Sequence, residues 1–429
     1  MGVSNGSDSH GRGGPWIGVV LYLVFACVLA FGTPPMTGPD EGAHAVYIRV
    51  VASEWHLPDV GFPAPYSETA TATHQAQHPP GYYMLCAPLF RLLDSVNISP
   101  WPALRLLGVL IGAATVVVVW RIGRVLFPEG SLAIRLSATA GMVPIFQYMT
   151  AMLNNIGLAI LLAALVAHRL AIILRGRDGT REWIILGIVL GLASLTSLMG
   201  LALCVVPVAL LAMRFRLLGV REALLRLAVV VGGPVILAGW WFARNYMVCG
   251  TLTPMFRSEP LASVDLPTLL ISQPLAALKS AGIVLNNGLV QLWSCTWLMR
   301  ETGAPAHVVA LIYLVAYVGF GLFVAGGVRA AMRGGAPLRA WALLGVFACL
   351  IVFAGVVRQV WFVDAQVADF AGRYFVILVP FAIPLVASSL EPVKPRRVAA
   401  RVWLAVLWAF LVAANAAHAA YVVWFFHRA

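Results

Sequence analysis

The chain has 429 residues, 61% of them hydrophobic and only 11% charged, which excludes a soluble globular domain, since such domains run about 45–50% apolar. Its formal charge of +12 does not mark a nucleic-acid binder, because the arginines gather in alternate loops between apolar runs, as membrane insertion demands. Runs of about 20 apolar residues, enough to cross a bilayer, recur along almost the whole chain, so any chemistry must sit in loops or between helices.

Residues 1–15 are Gly/Ser-rich and read as a disordered N-terminus. The rest, 16–429, reads as one all-α, polytopic membrane domain. Its first span is expected at Trp16–Gly32. Little positive charge precedes that span and no small-residue cleavage pattern follows it, so it reads as a retained helix, not a signal peptide. Further spans are expected at about Leu104–Val119, Leu132–Thr150, Met152–Leu174, Trp183–Leu198 and Gly200–Met213. The series continues with about Leu224–Trp241, Val308–Ala325, Ala340–Val357, Tyr374–Ser389 and Val402–Trp424. That makes roughly eleven transmembrane helices.

With the N-terminus inside, the inward loops hold 19 of the 29 basic residues and 6 of the 17 acidic ones. The inner face then nets +13 and the outer face −1, so every inward loop obeys the positive-inside rule. Two long segments fall outside, 33–102 and 245–307, with a short third one at Trp361–Arg373. No internal repeat is visible. The six cysteines are scattered, mostly in apolar stretches, and no pair has metal-ligand spacing; only Cys249 and Cys295 share the outer face.

The first outer segment, 33–102, concentrates the polar chemistry. It opens with Pro39-Asp40-Glu41-Gly42-Ala43-His44 and later carries His78-Pro79-Pro80-Gly81-Tyr82-Tyr83. Asp40 is expected to cap a helix by accepting the Ala43 backbone donor. Apolar residues at Ala43, Val46, Tyr47, Val50 and Val51 would then form a membrane-facing stripe on an interfacial helix. A second interfacial helix is expected from Tyr82 to Leu93. Asp40, Glu41 and His44 share one turn, which is either a capped, wet helix start or a catalytic constellation. His78 either caps the second helix or meets substrate.

Two arginines arrive on the same face. Arg244 ends Trp241-Phe242-Ala243-Arg244-Asn245 as one span emerges, and Arg373 stands in Gly372-Arg373-Tyr374 as another begins. Each alone would suit a headgroup anchor. Together, opposite an acidic loop, they suit an anion clamp, because guanidinium grips phosphate bidentately. Asn154-Asn155 marks another outer turn, and Lys279 approaches from segment 245–307. Tyr82, Asn154, Asn155 and Lys279 join His44 and His78 as substrate-site candidates. A carboxylate to take an acceptor proton, cations to hold a phosphate and apolar helices to hold a tail would suit a lipid-linked phosphosugar.

These residues resemble, in order and sidedness, the GT-C glycosyltransferases of the protein O-mannosyltransferase and lipid A aminoarabinose-transferase type. The resemblance runs through Asp40-Glu41, His78 to Tyr83, Arg105, Gly123 to Pro128 and Asn154-Asn155. It continues through Gly191 to Ala193, Trp241 to Asn245 and Gly372-Arg373-Tyr374. It implies a multi-pass protein of the bacterial cytoplasmic membrane with its active site on the periplasmic or outer face. The donor would be a polyprenyl-phosphate-linked sugar, and the acceptor a glycan, lipid or protein. It also implies that Asp40 is the base, that Glu41 orients acceptor or base, and that Arg244 and Arg373 bind the donor phosphate. Asn155 stands where many relatives carry an acid, and Ser197 where some carry lysine. No metal ligand set is therefore assigned, and a divalent metal is left open. Two other classes of function stand beside this one: a flippase or transporter of a lipid-linked anion, and a non-catalytic membrane assembly factor.

Overall fold

The computed structural model describes residues 14–58, 75–128, 131–254, 272, 274–291, 305–362, 372–389 and 398–428, and among them there is helix but no strand. The first helix, α1 (Trp16–Gly32), is apolar all round and splits its faces between two surroundings. Tyr22, Ala26 and Leu29 are buried against protein, whereas Ile17, Val20, Val24 and Phe31 are exposed. A helix with no polar face belongs in lipid with one side packed on neighbours.

Every expected span overlaps a helix. These are α4 (Trp101–Leu126), α5 (Ser131–Gly141), α6 (Pro144–Ala151), α7 (Ile156–Leu174), α8 (Thr180–Thr196), α9 (Leu198–Ala202) and α10 (Val205–Leu218). They continue with α11 (Val220–Cys249), α13 (Ala306–Arg333), α14 (Ala336–Phe362), α15 (Gly372–Phe375), α16 (Val379–Ser389) and α17 (Val398–Arg428). Among the described residues, five stretches are long and apolar enough to cross a membrane by themselves: 101–126, 156–174, 198–218, 220–249 and 336–357. This is a multi-pass membrane protein. Close crossings use small residues: a Cβ on Gly18 would lie 2.3 Å from the Ser137 backbone, so α1 and α5 meet backbone to backbone.

Three boundaries differ from the hydropathy reading, each for a local reason. The expected span Leu132–Thr150 is two helices, broken at Met142-Val143 because Pro144 has no N–H to continue the ladder. Side chains take over the freed carbonyls: Gln147 donates to Gly141 (2.7 Å) and Asn415 to Met142 (3.0 Å). The span expected from Met152 starts at Ile156, because Asn154 folds into a side-chain turn that accepts the Ile156 N–H at 2.9 Å. The break expected near Leu198–Gly200 falls at Ser197, whose hydroxyl accepts the Met199 N–H at 3.2 Å and starts α9.

The described residues of segment 33–102 include the helices α2 (Glu41–Glu54) and α3 (Gly81–Ser95). Of the stripe expected to face the membrane, Tyr47 and Val51 instead meet α3. Tyr47, Ile48 and Val51 join Tyr82, Tyr83, Cys86 and Phe90 in a cluster of their own, closed by Leu104 and Leu153. Periodicity fixes which face is apolar but not whether lipid or protein covers it. α3 keeps Met84, Leu85 and Leu92 exposed on its other side. The segment expected at 245–307 contributes α12 (Pro274–Gln291), which packs on α15. Cys295 lies outside the described residues.

At the far end of the bundle, the arginine-rich loops are tied into a knot. Asp178 accepts from Arg226 (2.7 Å), Arg214 (2.9 Å) and the Trp183 indole (2.6 Å). Arg169 pairs with Glu182 at 2.7 Å. These bonds join α7, α8, α10 and α11 and face no described cavity.

Candidate active site

The approach to Asp40 is a proline-rich strap in which Met36 and Asp40 adopt left-handed backbone conformations, φ 65° and 54°. Asp tolerates that region better than most residues. The consequence differs from the expected cap: the Asp40 side chain makes no capping bond. Only its backbone carbonyl enters the helix, accepting the His44 N–H at 3.0 Å. Glu41 does the local bonding instead, accepting the Gly38 N–H at 3.0 Å. The Asp40 carboxylate is left pointing away from the helix.

The two neighbouring acids therefore diverge. Glu41 is 2% exposed and forms a bidentate pair with Arg105, Nε to Oε1 at 2.7 Å and Nη2 to Oε2 at 2.6 Å. It also accepts the Leu153 N–H at 3.1 Å. Arg105 spends its other donors on the carbonyls of Ala30, Thr33 and Pro34. One buried pair thus fastens the strap to the ends of α1, α4 and α6. Asp40, by contrast, has a half-open carboxylate whose Oδ2 accepts from Arg373 Nη1 at 2.9 Å. That guanidinium also donates to the Tyr374 hydroxyl at 3.0 Å and lies 5.0 Å over the Tyr374 ring.

The pair stands at a cavity of about 250 Å³. His44, Gln77, His78, Asn154, Asn155 and Tyr374 line it with Asp40 and Arg373. Met149, Ile156, Leu198, Met199 and Ile377 add apolar lining. His44 Nδ1 is 2.8 Å from the Tyr83 hydroxyl, and the His78 ring stacks parallel at 6.0 Å. Tyr83 in turn stacks on Tyr47 at 3.7 Å. Burial, reinforced by neighbouring Tyr47, Cys86 and Asp40, pushes the Tyr83 phenol well above its usual range, so it stays protonated beside His44.

The other sequence-derived candidates spread out. Asn154 and Asn155 line the cavity, but their amide groups donate to Met149 and Thr196 carbonyls. Tyr82 is buried beneath α2, next to Glu41 and Cys86, and does not line the cavity. Lys279 is exposed on α12 and also stays away from the lining. Arg244, half-buried at the end of α11, donates to the Leu57 carbonyl at 3.2 Å and lies near Tyr47. It is not part of the lining, although Thr253 and Pro254, just beyond it, are. Among the described residues no three His, Cys, Asp or Glu side chains gather as a metal site. Two contributors escaped the sequence reading. Arg105 was visible only as a motif position, and its partner could have been suspected from a lone charge in an apolar run. Tyr374 carried no signal beyond adjacency to Arg373.

Residues 77–241 match the family model described as dolichyl-phosphate-mannose-protein mannosyltransferase. That segment holds His78, Arg105 and Asn155 but ends short of Arg244 and Arg373. No curated protein matches the chain in sequence. ArnT from Cupriavidus metallidurans bound to undecaprenyl phosphate superposes with a TM-score of 0.53 at 15% identity, over 95% of this chain and 75% of that one. Its apo state gives 0.52 at 15% identity over the same shares. The Archaeoglobus fulgidus oligosaccharyltransferase in complex with zinc and sulfate gives 0.51 at 15% identity, over 93% of this chain and 53% of that one. This chain therefore spans about half the length of the archaeal enzyme. At such identities the likeness establishes the fold, which is that of GT-C membrane glycosyltransferases.

Proposed function

We propose that this protein moves a sugar from a polyprenyl-phosphate carrier to an acceptor hydroxyl or amine, on the membrane face opposite the arginine-rich loops. The observation that carries the reading is the Asp40–Arg373 pair, set in a cavity lined by both polar and apolar side chains. An acid and a cation so placed match the two charges that develop when a sugar leaves a phosphate. The fold likeness to a protein whose structure holds undecaprenyl phosphate supports a lipid-linked donor. The positive-inside charge pattern supports placing the site on the outer face of a bacterial cytoplasmic membrane.

In the proposed reaction Arg373 binds the donor phosphate, and the apolar wall takes the first part of the lipid. A carboxylate paired with guanidinium accepts protons poorly. Transfer of Arg373 from Asp40 to the phosphate would therefore release the carboxylate only when donor is bound. Asp40 then takes the proton from the acceptor as its oxygen or nitrogen attacks the anomeric carbon. The carbon–oxygen bond to phosphate breaks with inversion, and polyprenyl phosphate leaves with its charge held by Arg373. Glu41, saturated by Arg105, acts as a positioning residue that fixes the strap. Arg244 holds the chain near Leu57 at the rim, which leaves Arg373 as the main phosphate contact.

Lipid and glycoconjugate mass spectrometry on cells carrying wild-type or Asp40→Asn protein tests this. The expected result is loss of one glycosylated product and accumulation of its lipid-linked donor. An unchanged profile with the variant as the sole copy would overturn it. Movement of a lipid-linked substrate across liposomes by purified protein, without sugar transfer, would favour the flippase reading.

A further inference from the structure

Arg373 sits on α15, the first turn of a helical stretch that continues through a 3-10 turn (Val376–Leu378) into α16. The first backbone donors of any helix have no partner inside it. In α15 one of them is met from another element: the Gly372 N–H donates to the Oε1 of Gln291 at 3.1 Å, across 81 residues of sequence. Gln291 is 1% exposed, at the end of α12. The approach is so close that a Cβ on Gly372 would lie 2.2 Å from the Gln291 Cβ. One turn earlier on α12, a Cβ on Gly288 would meet the Phe375 ring at 2.5 Å. Two glycines, one on each helix, thus let α12 and α15 approach at both ends of the short helix, and the amide bond sets their register.

We propose that Gln291 is a positioning residue for the donor-phosphate arginine, and that α12 is the buttress that aims Arg373 at Asp40 and at the substrate phosphate. This rests on the reading of Arg373 as the phosphate ligand. It gives the second long outer segment a purpose that its own side chains do not display: Lys279 is exposed and away from the cavity, yet the helix that bears it ends on Gln291. A guanidinium that must switch between a carboxylate and a phosphate needs a fixed base, since displacement by about 1 Å can cost about 100-fold in rate. The bond uses only the acceptor oxygen of Gln291. Glutamate at this position keeps that oxygen, whereas leucine fills similar space without it.

The test is binding of undecaprenyl phosphate to purified full-length protein, with donor KM and kcat measured in parallel once the sugar is known. Gln291→Leu is expected to weaken binding and raise donor KM about tenfold, the effect of one lost hydrogen bond. Gln291→Glu should restore most of the affinity at matched melting temperature, and Arg373→Ala should weaken binding at least as much as Gln291→Leu. If Arg373→Ala binds normally, the phosphate-ligand reading fails. If Arg373→Ala weakens binding but Gln291→Leu does not, only the buttress is overturned. Equal loss in the Leu and Glu variants would also overturn it, because the acceptor oxygen would then not be what matters.

Discussion

Asp40 and Glu41 are adjacent in sequence and opposite in use. Glu41 is sealed at 2% exposure, bidentate to Arg105, with both carboxylate oxygens carrying second bonds from backbone donors. Asp40 is left-handed and half-open, pairs with Arg373 and lines the cavity. Both are acid–arginine pairs, so charge alone does not separate structure from chemistry. Burial does: a sealed carboxylate with every lone pair in use cannot accept a substrate proton, and a half-open one that lines a cavity beside an exchangeable guanidinium can. The Asp178 knot at the other end belongs with Glu41 by the same criterion, since two arginines and an indole occupy it away from any described cavity.

That contrast orders the variants. Glu41→Ala or Arg105→Ala is expected to remove folded protein, because an orphaned buried charge costs about 3–5 kcal/mol; fluorescence-detected size exclusion in detergent reads this directly. Asp40→Asn should leave the folded peak intact and lower transfer by about 100-fold or more, the scale of general-base catalysis. Arg214→Ala, in the partly exposed knot, should lower thermal stability by about 1 kcal/mol or less and leave turnover unchanged. If Arg214→Ala instead abolished transfer, the saturated knot would not be merely structural.

Tyr83 provides a pH-based test of the outer cluster. Its phenol is held well above the ordinary tyrosine value of about 10, chiefly by burial. The raised folded-state value means its contribution to stability is fully present below pH 10 and is lost as pH climbs beyond that. Wild-type melting temperature should therefore fall at strongly alkaline pH, and Tyr83→Phe should flatten that fall. At neutral pH the same variant should lose about 1 kcal/mol or less from the missing bond to His44, read by thermal melts at matched ionic strength.

Much of the helical plan was legible because lipid imposes a long apolar run on each span. Where it failed, local backbone chemistry overrode the run: Pro144, with no N–H, broke one expected helix, and Asn154 delayed another by capturing a backbone donor. The α2 stripe was read correctly as apolar but assigned to lipid, since nothing in its spacing announces α3 as the partner. At the candidate site, Asp40, His44, His78 and Arg373 do line one cavity. Their convergence depends on long-range packing through α15 and on a left-handed Asp40, neither written in local sequence. Arg244 and Arg373 looked equivalent at span ends, yet only Arg373 lines the cavity. Arg244 instead donates to the Leu57 carbonyl.

Purified wild-type, Asp40→Asn and Glu41→Gln proteins, compared for melting temperature and for sugar transfer from the identified donor, bear most directly on the division between the two acids. The expected result is a near wild-type melting temperature with transfer abolished in Asp40→Asn, and a lowered melting temperature in Glu41→Gln with residual transfer in whatever fraction stays folded. Full transfer by Asp40→Asn, or a stable but inactive Glu41→Gln, would contradict it.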